Sequence, residues 1–384
     1  MAAEQLPRSG RPNWPWALAG VALVALVASA AGAWWHFRQP PDGPPDPSDG
    51  RTFDGSSEDL RQTAIVPTLD TPMPKGKSVI WCASFQAAWN KLKGEVGGPV
   101  RIKNAEEVAG RLNRAEQSED DLPPGSFCTA AGRGQETVDR IRADMARLFP
   151  DAPPPAIPEG PHALVAYGYL RAGVKFEHPY FEEPRGFPFR DGETVGGFGI
   201  REEHEGAYQE LRDQYELLYR SPADNPWGAQ QYAIDLCRHS QPNQVVLAVV
   251  PRGETLHDVL TDLDRKVAQW KPHEMDRRLK KLDVLRVPNM HWRVRHHFRE
   301  LEGADKVLLN YAPGQVWLDT ALQAIEFKLD RGGAELSSEA AIHFKGGPRE
   351  FHFDRPFLLY LKKRGAKHPF FVMWADNAEL LQKR

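Results

Sequence analysis

The sequence predicts an α+β protein with large, mostly antiparallel sheets, surrounding helices and one preceding transmembrane helix. Many short segments are apolar or alternate in polarity, which predicts eight or more strands, whereas five or six segments have helical spacing. The strands and helices do not alternate regularly, which argues against a parallel, doubly wound sheet. With 41% hydrophobic and 26% charged residues among 384, most of the chain has a globular composition.

The transmembrane helix is predicted at residues 14–35, after a short tail of residues 1–13. The segment from Trp14 to Trp35 has no charged residue and tryptophans at both ends, which is typical of a membrane span. A cleaved signal segment is the alternative, because small residues at 28–30 follow a short apolar core. Both interpretations place the folded body outside the cytoplasm, either tethered by a single-pass helix or secreted after cleavage.

Residues 36–76 are predicted to be a flexible linker. They are rich in Pro, Gly, Asp and Ser and contain few apolar residues, so they lack the side chains for a core. We therefore expect a single folded domain over residues 77–384.

The elements of this domain follow from periodicity and breakers. Ser84 is a candidate N-cap for the first helix. The predicted helices are 84–92, 136–149 and 254–270. The main strand candidates are 163–170, 244–251, 290–298, 319–330, 357–363 and 369–376.

One segment raises a specific question. Residues 334–345 alternate, with Ala334, Leu336, Ser338, Ala340, Ile342 and Phe344 on one parity, which is the pattern of a strand with one buried face. The segment follows Gly332-Gly333 and contains small residues and two glutamates, which are weak strand formers. It is either a strand already paired, with KGGPRE as an ordinary turn, or a segment that becomes a strand under other conditions.

Several classes of function are disfavoured. The net charge of −3 argues against nucleic-acid binding. Cys82, Cys128 and Cys237 are too few for a disulfide framework and too far apart for a zinc motif. No phosphate-binding loop or catalytic triad is recognisable, so we predict no enzyme and no cofactor or metal. The basic stretch 277–299 is predicted to be a charge-balanced surface, with polyanion binding as the less favoured alternative.

The last quarter of the chain resembles the serpin family. The segment FHFDRPFLLYLKKRGAKHPFFVMWAD (351–376) is similar to the closing strand pair of serpins, and LDRGGAEL (329–336) is similar to their loop hinge. Weaker similarities continue in order back to residue 78. The chain departs from the family pattern at Trp81-Cys82, at Ala166 and at Gln323, positions that in serpins underlie the gate through which the loop enters the sheet.

The resemblance implies a serine-protease inhibitor that acts by cleavage and insertion of a reactive loop. It places the reactive bond at Lys345–Gly346, within about two residues, and lysine before this bond implies a trypsin-like protease as partner. The implied hinge and inserting strand comprise Gly332, Gly333, Ala334, Glu335, Leu336, Ser338, Ala340 and Ile342. A non-inhibitory binding or structural protein with the same fold is the alternative, favoured by the hinge glycines and the altered gate.

Overall fold

The computed structural model describes residues 51–384, except 161–162, 191, 202–210, 212, 223–229, 281–282, 312–314 and 333–348. Strands dominate the described part of the chain. They are β1 Phe53–Ser56, β2 Thr63–Ile65, β3 Ser78–Cys82, β4 Phe127–Arg133, β5 Leu164–Gly173, β6 Phe181–Glu182, β7 Phe187–Pro188, β8 Thr194–Val195, β9 Gly197–Ile200, β10 Glu216–Arg220, β11 Tyr232–Asp235, β12 Asn243–Val249, β13 Val284–Pro288, β14 Met290–His297, β15 Leu318–Leu329, β16 Glu350–His352, β17 Phe357–Lys363 and β18 Pro369–Ala375.

Five strands form the main sheet, in the order β1-β14-β15-β5-β4. The pairs β14/β15 and β5/β4 are antiparallel, whereas β15/β5 and the edge pair β1/β14 are parallel. All residues of β15 except Asp319 and Lys328 are buried, because layers of structure cover both faces of the sheet. This explains why β15 and β5 are nearly continuous apolar runs in the sequence.

A seven-stranded back sheet, in the order β10-β11-β12-β17-β18-β3-β2, lies against the main sheet. The rings of Phe327 on β15 and Phe371 on β18 stack at 4.8 Å within the larger hydrophobic core, which joins the two sheets. A four-stranded end sheet has the order β16-β13-β9-β6, and β7 pairs with β8. Most strand pairs are antiparallel, so the predicted α+β class is confirmed.

The helices flank these sheets: α1 Ala83–Val96, α2 Glu106–Arg114, α3 Gln135–Leu148, α4 Leu256–Gln269 and α5 Glu274–Arg277. Helix α4 begins with a capping box, in which the Thr255 hydroxyl accepts from the Asp258 amide at 3.1 Å and the Asp258 carboxylate accepts from the Thr255 amide at 3.0 Å. The prediction of Ser84 as an N-cap is wrong. Cys82 occupies that position, and Ser84 lies in the first turn of α1 with its side chain buried.

The folded body begins before residue 77, which corrects the predicted extent of the linker. Strand β1 pairs with β14 in the main sheet, and β2 pairs with β3 in the back sheet. Between and after these strands Leu60, Leu69 and Met73 are buried. The few apolar residues of this stretch suffice because they join the larger hydrophobic core, most of which other parts of the chain build.

Within the described residues, the helices are too short or too polar to span a bilayer. The predicted span 14–35 lies outside the described residues and stays a prediction.

Candidate functional site

The most unusual feature of the main sheet is the parallel pair β15/β5 at its centre, which we call the seam. It runs from Leu318 opposite Leu164 to Lys328 opposite Gly173. Antiparallel pairs flank it on both sides. Parallel pairing is slightly less stable per residue than antiparallel pairing, so the seam is a natural line along which the sheet could part.

The direction of the seam strands also determines which additional strand the sheet could accept. A strand placed between β15 and β5 would be antiparallel to both if it ran opposite to β15. The chain leaves β15 at Leu329, and the segment that follows needs only to reverse direction to meet this condition. The main sheet would then have six strands, with β15 and β5 each in an antiparallel pair on both sides.

A cleft of about 540 Å³ lies at the end of the seam where β15 ends. Gly173, Lys175, Lys328 and Arg331 are among its lining residues, and Lys328 pairs with Asp330 at 2.9 Å. Gly332 also lines the cleft and has φ of +50°, a conformation that glycine adopts readily. Its amide donates to the Asp330 carboxylate at 2.7 Å. The chain therefore turns at the predicted hinge, directly beside the cleft at the end of the seam.

The face of the seam towards the back sheet rests on the start of α1. Gln323 on β15 is fully buried, and its amide nitrogen donates to the Cys82 carbonyl at 3.0 Å and to the Ser84 hydroxyl at 3.1 Å. Gly168, opposite Gln323 on β5, lies so close to α1 that a Cβ atom there would be 2.6 Å from the Ser84 carbonyl oxygen. The middle of the seam is thus tied to the start of α1 by the two hydrogen bonds of the Gln323 amide nitrogen.

The other face of the seam is covered by α3. Its residues Val138, Ile141 and Met145 form a second hydrophobic cluster with side chains from both seam strands. Those side chains are Val165, Tyr167 and Tyr169 on β5 and Leu322 and Ala324 on β15. Because this cluster spans the seam, an additional strand could enter only if α3 moved away from one of the two strands.

Most of the predicted reactive residues lie outside the described part of the chain: Gly333, Ala334, Glu335, Leu336, Ser338, Ala340, Ile342, Lys345 and Gly346. Gly332 is described and lies at the seam cleft. Of the gate positions, Gln323 contacts Cys82, and Ala166 lies on β5 within the seam.

Sequence reasoning missed a group of charged residues on the α3 side of the seam, centred on Glu326. The available signal was a single carboxylate in an otherwise apolar stretch of β15, AIEF, where a charge is unusual unless it is paired.

In the described part of the chain, the cysteines and the basic stretch form no second site. The three cysteines are free and buried, and burial raises the pKa of Cys82 and Cys128 to about 11, so these thiols are unreactive near neutral pH. No group of ligands suited to a metal ion occurs among the described residues. In the basic stretch, Arg278 pairs with Glu274, Lys280 with Asp276 and Arg299 with Glu302, consistent with a charge-balanced surface.

No protein-family model and no curated protein sequence matches the chain. The fold of the chain is similar to that of several solved structures. Serpin48, a highly specific serpin of the insect Tenebrio molitor, is 13% identical with a TM-score of 0.45, covering 78% of this chain and 91% of its own. Native protease nexin-1 with heparin is 10% identical with a TM-score of 0.48, covering 78% and 92%. These similarities are too low to indicate a function for this chain.

Proposed function

We propose that this protein is a serpin-like inhibitor of a trypsin-like serine protease, which acts by cleavage and insertion of the segment 332–345. The observation that carries the proposal is the parallel seam between two antiparallel pairs, with Gly332 of the predicted hinge lining the cleft at its end. A segment that reverses from β15 into this seam would become antiparallel to both neighbours.

In the proposed reaction the protease serine attacks the Lys345 carbonyl while the protease histidine takes up the serine proton. The bond to Gly346 then breaks, and the Gly346 amine leaves with the proton that the histidine returns. Lys345 is then held by an ester to the protease until water hydrolyses it. Insertion competes with this hydrolysis. Each new ladder hydrogen bond contributes about 1 kcal/mol net, and burial of Leu336, Ile342 and Phe344 contributes about 1.5–3 kcal/mol each. Insertion that is faster than hydrolysis would distort the protease and preserve the ester.

The alternative is a non-inhibitory binding or structural protein of the same fold. Buried contacts that hold the seam closed favour this alternative. They are the hydrogen bond from Gln323 to Ser84 of α1 and the packing of α3 on Tyr167 and Leu322. We further propose that residues 14–35 tether the folded body to the extracytoplasmic side of a membrane. This tether would determine which proteases the body meets, but it would not affect the insertion itself.

Incubation with trypsin separates the two functions. Inhibition predicts an adduct on a denaturing gel that contains trypsin and the chain up to Lys345, and a large rise in melting temperature of the cleaved protein. The matched control is Lys345→Ala, which should give no adduct at this bond. Cleavage near Lys345 without adduct and without a rise in melting temperature would support the non-inhibitory alternative.

A further inference from the structure

Three side chains join the two seam strands on the face towards α3. The Tyr169 hydroxyl on β5 donates to the Glu326 carboxylate on β15 at 3.0 Å. The guanidinium of Arg171, also on β5, donates to the same oxygen of Glu326 at 3.3 Å. Tyr169 and Glu326 are only 2% and 8% exposed, so these contacts are largely removed from water and weakly screened. We call Tyr169, Arg171 and Glu326 the clasp.

Each side of the clasp has further partners on its own half of the sheet. On the β15 side, Glu326 accepts from Arg293 on β14 at 3.0 and 3.2 Å and lies 3.9 Å from Arg51. Arg293 also contacts Asp54 on β1 at 3.2 Å, and Arg51 pairs with Asp54 at 3.0 Å. The segment 51–54, which sequence composition placed in a linker, therefore supplies the cation Arg51 and, at the start of β1, the anion Asp54.

On the β5 side, Arg171 forms a bidentate pair with Asp151, just after α3, with both N–O distances 3.0 Å. The guanidinium also lies over the Phe149 ring at 5.3 Å. Burial by itself would raise the pKa of Glu326, yet Arg171 and Arg293 together hold it below its usual range. The carboxylate is therefore ionised at neutral pH, and the cluster has three cations and three anions.

A strand entering the seam would move β5 and β15 from about 4.8 Å apart to about twice that spacing, which breaks both clasp contacts. Each half then keeps equal numbers of positive and negative charges. Arg51 and Arg293 remain with Asp54 and Glu326 on one half, and Arg171 remains with Asp151 on the other. A single ion pair across the seam would instead leave two uncompensated charges, which is costly in a buried position.

We propose that the clasp holds the main sheet closed in the uncut chain and, because each half keeps its own counter-charges, parts along the seam without leaving an unpaired buried ion. This inference rests on the proposed function for its purpose. The opening itself is a property of the uncut protein and can be measured without any protease.

The proposal predicts effects of opposite sign on seam opening. Tyr169→Phe removes a bond that exists only in the closed sheet, so hydrogen–deuterium exchange of seam amides should accelerate about 5-fold, the effect of one lost hydrogen bond. Asp151→Asn removes the only counter-charge in this cluster that stays with Arg171 after the seam strands separate. In the closed sheet, Glu326 still compensates the charge of Arg171. Exchange at the seam should therefore slow by about 2-fold, a modest effect because Asp151 is half exposed.

Exchange is measured on the full chain by mass spectrometry of peptides covering 164–173 and 318–329, with peptides covering β12 and β17 as the internal reference. Asp144→Asn is the matched control, since Asp144 pairs with Arg147 on α3 and does not belong to the cluster. A purely structural role would make Tyr169→Phe and Asp151→Asn both accelerate exchange, in the seam and in the reference alike, and this result would overturn the proposal. Failure of the trypsin assay with the predicted exchange pattern would remove the inhibitory function but leave the clasp.

Discussion

Gln323 and Ser84, 239 residues apart in the chain, are joined by a hydrogen bond of 3.1 Å in the middle of the seam. The same amide nitrogen of Gln323 donates to the Cys82 carbonyl at 3.0 Å, so both acceptors lie at the junction of β3 and α1. Because Gln323 is fully buried, these bonds are its means of satisfying the amide N–H groups. The contact links the seam to a helix that is not part of the main sheet.

Replacement of Gln323 by leucine should destabilise the uncut protein. Leucine has a similar volume but cannot donate to the Cys82 carbonyl. Loss of the partner of a buried acceptor lowers the free energy of unfolding by about 1–3 kcal/mol. The Gln323 carbonyl oxygen is buried without a partner, so its removal offsets part of this cost. We expect the free energy of unfolding in urea to fall by about 1–2 kcal/mol. The control Gln269→Leu, at an exposed position on α4, should change it by less than about 0.5 kcal/mol, and an equal effect of the two would contradict the role of the contact.

Gly168→Ala should be more damaging. The added methyl group would lie 2.6 Å from the Ser84 carbonyl oxygen and 2.9 Å from the Phe85 nitrogen, both backbone atoms that cannot rotate away. We expect a loss of about 1–3 kcal/mol in the free energy of unfolding, typical of overpacking in a tight core. Gly94→Ala is the matched control, because Gly94 lies on α1 with open space around its Cα and should gain about 0.5–1 kcal/mol. An unchanged free energy of unfolding for Gly168→Ala would mean that α1 can move away from β5 at little cost.

The elements that could be predicted from the sequence are those with a strong local pattern. Strand β15 is an apolar run, and α4 combines helical spacing with the Thr255 capping box. Their bounds follow from side chains within the segment itself. The serpin resemblance added that Gln323 and Cys82 lie under one gate, which the 3.0 Å contact between them agrees with.

The features that could not be predicted depend on pairing between distant segments. Strand β1, with the sequence FDGS, has no strand pattern of its own and exists because β14 offers an edge. The parallel direction of β5 and β15 likewise depends on how the intervening 144 residues, 174–317, connect them. The cluster around Glu326 draws on β1, β5, β14 and β15, so no local spacing reveals it.

The corrected domain boundary predicts that a chain beginning at residue 77 will not fold stably. It lacks β1 and β2 and the buried side chains of Leu60, Leu69 and Met73. Burial of one such side chain contributes about 1.5–3 kcal/mol, so their joint loss is comparable with the whole stability of a typical domain. Far-UV circular dichroism and soluble yield should show a folded protein for a chain beginning at 51 but not for one beginning at 77. Equal stability of both would restore the linker interpretation.

His296 should make the protein less stable in mild acid. Burial, with a smaller contribution from His297, lowers the pKa of His296 from its usual value of 6.5 to about 4 in the folded chain. The unfolded chain therefore binds more protons between these values, so the free energy of unfolding should fall as pH decreases from 6.5 to 4, by up to about 3 kcal/mol.

His296→Gln tests this prediction, because glutamine can keep the hydrogen bond that His296 makes with the Ser57 hydroxyl at 2.7 Å but does not titrate. Urea unfolding at several pH values should show a flatter dependence in the variant. A residual slope is expected from His352, whose pKa burial also lowers. An unchanged slope would assign the acid sensitivity to other groups.

The proposed insertion predicts that two adjacent alanines of the loop differ sharply in what they tolerate. On insertion the even-numbered residues, none of which is charged, would face the core towards the back sheet. The odd-numbered residues, which include Glu335 and Glu339, would face the side from which α3 must move. Ala340→Glu would place an unpaired carboxylate in the core and so block insertion, whereas Ala341→Glu would not. Neither change adds a cleavage site for trypsin. In the trypsin assay the adduct should decrease at least about 10-fold for Ala340→Glu, with cleavage at Lys345 unimpaired, and should persist for Ala341→Glu. If both variants formed adduct equally well, the segment would not enter the seam as a strand of this parity, and the inhibitory mechanism would have to be abandoned.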